Sequence, residues 1–146
     1  MNLLIIDAQG GGVGRQLVAA IKEAFPEIPV TAVGTNSAAT AAMRKAGADY
    51  VATGENAVVV GCRRADIIVG PIGIVIADSL LGEITPAMAA AVGQSRAKRL
   101  LIPMNHCDNM VIGVPDLNIS RLVQKAVEEI GGAIGSPQGK NTGKEQ

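Results

Sequence analysis

Continuous runs of apolar residues alternate along the chain with segments in which apolar residues recur at helical spacing. This alternation is typical of a parallel β-sheet covered by helices, because strands buried on both faces need no polar positions. We therefore predict an α/β domain. The six predicted strands are short and rich in Val, Ile or Leu: Asn2–Asp7, Pro29–Gly34, Asp49–Ala52, Ile67–Gly70, Arg99–Met104 and Met110–Val114.

Helical segments fall between these strands, which predicts a three-layer, doubly wound and mostly parallel six-stranded sheet. Ser37 is the predicted N-cap of one helix, Gly47 stands just past its end, and Thr85-Pro86 opens another. The predicted helices are Gly12–Ala24, Ser37–Ala46, Asn56–Arg64, a stretch beginning near Ile74, Thr85–Ser95 and Asn118–Ile130.

Length and composition limit the classes of protein to consider. A chain of 146 residues that is 48% apolar holds one ordinary domain, which we place at residues 1–131, followed by a disordered tail at 132–146. The 13 basic and 13 acidic residues cancel, and the aromatic residues are Phe25 and Tyr50 alone. No basic surface with stacking rings is available, so nucleic-acid binding is not expected.

The longest apolar stretch, Ile67 to Ala77, is shorter than the roughly 20 residues that a membrane helix needs, and no membrane span is expected. No basic, apolar leader precedes the first strand. Cys62 and Cys107 are too few for a disulfide framework, which fits a reducing compartment. The sequence therefore predicts a cytoplasmic protein.

The first strand runs directly into four glycines within Gly10–Gly14, and a helical pattern follows. Such a turn aims free backbone N–H groups and the positive end of the helix dipole at one point, where an anion binds. The alternative is that the glycines only form a tight turn. The predicted phosphate-binding residues are Gly10, Gly11, Gly12, Val13, Gly14 and Arg15.

In an open parallel sheet the ligand crevice lies beyond the carboxyl ends of the strands. Classical NAD binders end the second strand with an acidic residue that binds the ribose hydroxyls, and no acidic residue stands there in this chain. A 2′-phosphate is then not repelled, so if a dinucleotide binds, this end favours NADP over NAD. Arg15 either contacts such a phosphate or is a solvated helix residue. The remaining predicted cofactor-binding residues follow the second and fourth strands: Thr35, Asn36, Ser37, Gly70, Pro71 and Ile72.

Three residues near strand ends are candidates for proton transfer: Asp7, Glu83 and His106. Asp7 either caps backbone N–H groups or binds a ribose, an amine or a cation. Glu83 either enters the crevice or marks a helix boundary. His106 is the single histidine and lies beside Cys107, and its alternative role is a polar loop or subunit contact. His106, Cys107 and Asp108 have no second group of metal ligands at the spacing of a zinc site, so no metal site is predicted.

The segment from Gly70 to Met88 departs from a simple alternating pattern. Residues 72–77 are apolar without a break, and Gly82 and Pro86 interrupt the second half of the segment. A helix that is apolar on every face must be buried. Either this segment lies in a homo-oligomer interface or it forms a helix hairpin within the domain, and a homo-oligomer is our expectation.

The glycine turn resembles that of Rossmann-type NAD(P)-binding domains and is similar to the G-x-x-x-G-x-G of short-chain dehydrogenases. The resemblance implies a sheet ordered 3-2-1-4-5-6 and NADP or NAD as the cofactor. Asp7-Ala8 stands where that family has Thr-Gly, and no Tyr-x-x-x-Lys pair is present, so its hydride chemistry does not carry over.

The turn is also similar to the deviant P-loop K-G-G-x-G-K-T, with Arg15 in place of the lysine and Gln16 in place of the hydroxyl residue. The two replacements remove the phosphate-binding lysine and the metal-binding hydroxyl, on which phosphoryl transfer depends. This alternative is therefore a degenerate phosphate binder and not an active NTPase.

Over the whole ordered length, the order of motifs resembles a family of short bacterial proteins known only as a domain of unknown function with a Rossmann-like fold. That resemblance implies the fold and no activity. Two functions stay open: an NAD(P)-type nucleotide-binding protein, as in an oxidoreductase, and a noncatalytic ligand sensor or accessory subunit. Besides the glycine turn, the matching stretches are Val33–Ser37, Gly70–Gly73, Gly82–Pro86 and Leu101–Pro103.

Overall fold

The computed structural model describes residues 1–104, 109–114 and 118–135. Five strands and five α-helices follow one another, and a short 3-10 helix, Ile72–Val75, comes directly after the fourth strand. The strands are β1 Leu3–Asp7, β2 Val30–Gly34, β3 Tyr50–Thr53, β4 Ile67–Pro71 and β5 Lys98–Ile102. The helices are α1 Gly12–Ala24, α2 Ser37–Lys45, α3 Glu55–Arg64, α4 Pro86–Gln94 and α5 Ile119–Gly135.

The strands form one parallel sheet in the order β3-β2-β1-β4-β5. The central strand β1 pairs with β2 through Leu3 opposite Val30 and with β4 through Leu3 opposite Ile67. The chain winds outward from β1 to β3 and then returns to place β4 on the other side of β1. The predicted α/β class and the parallel, doubly wound sheet are confirmed.

Successive residues of β1 supply the two hydrophobic cores, because side chains alternate between the faces of a strand. Leu3 and Ile5 pack into the core shared with α1, α2 and α5. Leu4 and Ile6 pack into the core shared with α3 and α4 on the other face. All four are almost fully buried, which explains why β1 reads as a continuous apolar run without alternation.

The predicted sixth strand, Met110–Val114, is wrong. Residues 109–114 form a turn and no strand in the described structure. Gly113 has φ of +86°, which breaks an extended backbone, and Ile112 is 86% exposed. The apolar run matches a strand in composition, but no neighbouring strand pairs with it, so the described sheet ends at β5.

Apart from the stretch near Ile74, the other predicted strands and helices match the observed ones closely, and their ends differ by one or two residues. Helix α5 is the exception, since it continues past Ile130 to Gly135. Residues 136–146, which hold most of the predicted tail, lie outside the described residues.

The stretch predicted as a helix near Ile74 is the short 3-10 helix followed by turns up to Thr85. Ile74 is fully buried in the same core as Met88 and Val92 of α4. This apolar segment is therefore covered at Ile74 by its own chain, as in the intradomain alternative.

Candidate functional site

The turn between β1 and α1 needs glycine at two of its four glycine positions. Gly11 has φ of +72°, and a Cβ there would lie 2.9 Å from the Cα of Ala39. A Cβ on Gly14 would lie 2.6 Å from Sδ of Met43 and 2.8 Å from Cβ of Asp7. Gly11 and Gly14 therefore allow α1 to pack closely against α2 and β1.

Gly10 and Gly12 have no such structural reason to be glycine. A Cβ at either position would meet no described atom within 4 Å, and neither has a positive φ. In the described part of the chain, the N–H groups of Gly10, Gly12 and Val13 also have no hydrogen-bond partner. Side-chain-free positions with unused donors are what a phosphate-binding turn requires.

Asp7 caps the start of α1. Its Oδ2 accepts a hydrogen bond from the N–H of Gly14 at 2.6 Å, and its Oδ1 accepts one from the N–H of Ala8 at 2.8 Å. Asp7 is 5% exposed. Burial raises the pKa of Asp7, the two hydrogen bonds oppose that rise, and the negative charge of Glu83 adds to it. The capping alternative for Asp7 is thus the one that the structure shows.

A cavity of about 200 Å³ opens at the glycine turn. It joins the carboxyl ends of β1 and β4, between which the chain reverses its winding direction, and ligands of open α/β sheets bind at such a reversal. The lining residues come from the turn, from β4 and from the segments that follow β4 and β5: Asp7, Ala8, Gln9, Gly10, Gly11, Gly12, Val13, Pro71, Leu80 and Met104.

Larger clefts lie elsewhere on the molecule. One of about 450 Å³ lies between α3 and the face of β2 and β3, and one of about 590 Å³ lies between α3 and α4. Neither includes a residue of the glycine turn, and the first is lined mainly by apolar side chains such as Leu4 and Val33. We therefore place the candidate site at the smaller cavity, where the free backbone donors are.

Glu83 brings the turns after β1 and β2 together. Its Oε1 accepts hydrogen bonds from the N–H of Gln9 at 2.9 Å, from Oγ1 of Thr35 at 2.8 Å and from Nδ2 of Asn36 at 2.7 Å. The Asn36 amide also donates to the carbonyl of Gln9, and its Oδ1 caps α2 by accepting from the N–H of Ala39. Glu83 thus links the turns after β1 and β2, and it is not among the described residues that line the cavity.

Opposing influences act on the charge state of Glu83. Burial, the largest of them, acts to raise the pKa of Glu83. The three hydrogen bonds from Gln9, Thr35 and Asn36 together outweigh burial and hold the pKa below its usual range. Glu83 is therefore a carboxylate at neutral pH, lying directly beside the glycine turn.

The structure brings only some of the predicted site residues into contact. Arg15 and Ser37 are exposed. Ile72 lines a separate small cavity with Pro71 and Gly73. A Cβ on Gly70 would collide with the carbonyl oxygen of Ile6, so glycine there serves packing. His106 and Cys107 lie outside the described residues.

Leu80 and Met104, which also line the cavity, were not predicted as site residues. Leu80 has φ of +56°, in a turn with no glycine before Gly82, and no local sequence pattern predicts such a conformation. Met104 comes just after the end of β5 and reaches the site only because β5 lies beside β4.

Within the described ranges, no three or more His, Cys, Asp or Glu residues are grouped in a way that could hold a metal ion. The helices among these residues are also too short or too polar to cross a membrane.

Comparison with known proteins gives a solved structure of similar fold and no curated relative. No curated protein matches the chain. The dodecameric FMN-dependent UbiX-like decarboxylase from Escherichia coli O157:H7 is 20% identical, with a TM-score of 0.47, over 90% of this chain and 77% of that one.

The expected cofactor, NADP or NAD, is wrong. The solved protein of similar fold is FMN-dependent. The preference for NADP also rested on the lack of an acidic residue at the end of β2, where Glu83 in fact supplies a carboxylate. That carboxylate accepts from Thr35 and Asn36, so the observation on which the preference for NADP rested does not hold in the folded protein.

A family model covers nearly all of the described structure, from the start of β1 to the last turn of α5. It matches residues 2–134 and is described as "Domain of unknown function (DUF3842)". The chain belongs to this family of unknown function, as the order of its motifs predicted.

Proposed function

We propose that the protein binds a small phosphate-bearing ligand of mononucleotide type, with the phosphate on the glycine turn. The observation that carries the proposal is the open space over Gly10 and Gly12, where neither φ nor packing requires glycine. The unused N–H groups of Gly10, Gly12 and Val13 supply donors for phosphate oxygens, and the N-terminus of α1 adds a favourable dipole.

The size of the cavity supports a small ligand. Pockets that enclose drug-sized ligands measure roughly 300–1,000 Å³, and the cavity at the turn measures about 200 Å³. A phosphate and an attached sugar-sized group match this space, while a base or ring system extends beyond it. The turn supplies main-chain donors without a P-loop lysine, in keeping with a degenerate phosphate binder.

The described residues favour binding over proton transfer. Both carboxylate oxygens of Asp7 accept backbone hydrogen bonds, and one oxygen of Glu83 accepts three. In the described structure these hydrogen bonds engage both carboxylates in holding the turns in place. A noncatalytic ligand sensor or accessory subunit, which we place in the cytoplasm as a homo-oligomer, is therefore the role that we propose.

Thermal denaturation with added ligands tests the proposal. The probes are FMN, AMP, ADP and inorganic phosphate, each against the wild-type protein and Gly12→Asp. A ligand at about 100 times its Kd stabilises the native state by about 2.7 kcal/mol and raises the Tm by several degrees. We expect such a shift with at least one mononucleotide, and its loss in Gly12→Asp, where a carboxylate would face the phosphate.

Gly93→Ala is the matched control for a milder variant, Gly12→Ala. Both glycines lie in helices, and a Cβ on either meets no described atom within 4 Å. Gly93→Ala should keep the ligand shift, and Gly12→Ala should reduce it. If no probe shifts the Tm, or if Gly12→Asp keeps the full shift, the proposal is wrong and the glycines serve the fold alone.

A further inference from the structure

Three hydrogen-bond donors converge on one oxygen atom beside the proposed phosphate site. They are the N–H of Gln9, the hydroxyl of Thr35 and the side-chain amide of Asn36, and they lie 2.7–2.9 Å from Oε1 of Glu83. We call these three groups the donor cluster. Converging donors of this kind stabilise an oxyanion, and hydrogen bonds to a charged acceptor are about twice as strong as neutral ones.

The carboxylate reaches the donor cluster from the tip of a long connection between β4 and α4. Leu80, Leu81 and Gly82 all have φ between +56° and +81°, and Leu81 is 88% exposed. The backbone of this connection is held in place. Ile84 is fully buried, Leu80 is 8% exposed, and the N–H of Glu83 donates to the carbonyl of Leu80 at 3.2 Å. Displacing the carboxylate therefore requires rotation of the Glu83 side chain and no movement of the backbone.

We propose that the donor cluster is a second oxyanion subsite, next to the phosphate on the glycine turn, and that Glu83 occupies it until the ligand displaces it. The inference rests on the proposed function and names its ligand class: a phosphate compound that carries a second oxyanion, either a phosphoryl group or a carboxylate. Gln9 immediately precedes Gly10, so a single turn presents donors to both subsites.

The subsite explains why so many donors serve a residue that is only half buried. Glu83 is partly exposed, so water could hydrate its carboxylate without a dedicated hydroxyl, amide and backbone N–H. The ligand that displaces Glu83 takes over the same donors, while the freed carboxylate moves into solvent. Binding then depends on how strongly Glu83 competes for the donor cluster.

The test compares pyrophosphate and phosphoglycolate, which carry a second oxyanion, with inorganic phosphate, which does not. Affinities are measured by NMR titration for the wild type, Glu83→Ala and the control Glu55→Ala. Glu55 is an exposed acid that also follows a strand, in the first turn of α3. We expect Glu83→Ala to bind at least one two-oxyanion probe about tenfold more tightly and phosphate less than about threefold more tightly. Which probe gains distinguishes a phosphoryl from a carboxylate.

Thr35→Val, added to Glu83→Ala, separates a subsite from a structural contact. Removing one donor should weaken the two-oxyanion probe by about tenfold and leave phosphate affinity unchanged. Where Glu83→Ala fails to fold, Glu83→Gln replaces it, because it keeps the shape and removes the charge, and it should show a smaller gain for the same probe.

The failures of the two proposals are distinguishable. Phosphate binding that is absent, or that survives Gly12→Asp, overturns the proposed function and the subsite with it. If phosphate binding depends on Gly12 but Glu83→Ala gains no more than Glu55→Ala, or if Thr35→Val has no effect, the subsite alone is wrong.

Discussion

The four glycines of the turn after β1 divide into two pairs with different tasks. Gly11 and Gly14 are fixed by backbone conformation and by contact with α2 and β1. Gly10 and Gly12 face open space. The sequence shows four equivalent glycines, and only the neighbours of each, which come from other elements, separate the structural pair from the pair that we assign to the ligand.

This division predicts opposite effects of the same substitution on stability. Gly14→Ala should lower the free energy of unfolding by about 1–3 kcal/mol, because its Cβ would press on Met43 and Asp7. Gly12→Ala should raise it by about 0.5–1 kcal/mol, because alanine is the better helix former and restricts the unfolded chain. Urea denaturation of the two variants checks both signs; equal losses would contradict the division.

The charge of Glu83 makes stability depend on pH. Its folded-state pKa lies below the ordinary value of 4.5, so its contribution is present above that pH and is lost as the pH falls through the folded pKa. Asp7 acts in the opposite direction, since its folded-state pKa lies above the ordinary value of 3.8. Comparison with Glu83→Gln removes the Asp7 contribution except for the part of the Asp7 shift that the charge of Glu83 itself causes.

We expect the wild type to be more stable than Glu83→Gln at pH 6 and expect this advantage to shrink on acidification below the ordinary pKa of Glu83. Urea denaturation at several pH values measures the difference in free energy. A difference that does not change with pH would mean that the carboxylate gains nothing from its three donors.

At the scale of elements, the connection between β4 and α4 departs most from its sequence pattern. Its apolar run predicts a helix, but the backbone makes a short 3-10 helix and then takes left-handed conformations at Asp78, Leu80 and Leu81. Leucine has no local preference for such a conformation, which costs about 1–2 kcal/mol per residue. Tertiary contacts at the buried Leu80 and Ile84 impose it.

The cost of the left-handed backbone conformation can be measured at the exposed residue Leu81. Leu81→Asn should raise the free energy of unfolding by about 0.5–1 kcal/mol, because asparagine tolerates φ near +58° and Leu81 buries little surface. Leu80→Asn, at a similar φ but only 8% exposed, should lower it. Thermal denaturation of the pair checks the contrast; destabilisation by both changes would show that Leu81 packs on something.

Local pattern predicted most of the elements, because caps, breakers and apolar periodicity are properties of short stretches. Thr85 caps α4 through its side-chain oxygen, as predicted, and Asn36 caps α2 one residue before the predicted N-cap, Ser37. Contacts between distant segments were not predictable in this way. Glu83 meets Asn36 across 47 positions of the chain, and this contact decides the chemistry at the end of β2.

At the scale of the whole molecule, the parallel sheet gathers the strand ends that border the candidate site at one edge. The opposite edge is held by Lys22, which donates to Asp49 and to the carbonyls of Pro26 and Ile28. The same architecture ends at β5 in the described residues, although a further apolar run comes after it.

The boundary of the sheet can be tested by truncating matched isoleucines. Ile102→Ala, in β5 and 3% exposed, should lower the free energy of unfolding by about 2–5 kcal/mol. Ile112→Ala, 86% exposed in the turn, should change it by less than about 0.5 kcal/mol. Urea denaturation compares them. A large loss of stability in Ile112→Ala would indicate that a sixth strand forms or that another surface covers Ile112.

The open space over Gly10 and Gly12 has a consequence for evolution and for engineering. Alanine at either position is free of steric conflict within the described fold, and at position 12 it favours the helix. A laboratory selection for heat resistance, or a consensus design that rewards helix propensity, would therefore favour alanine at positions 10 and 12. If the glycine turn binds the proposed ligand, the resulting protein would fold better and bind that ligand more weakly.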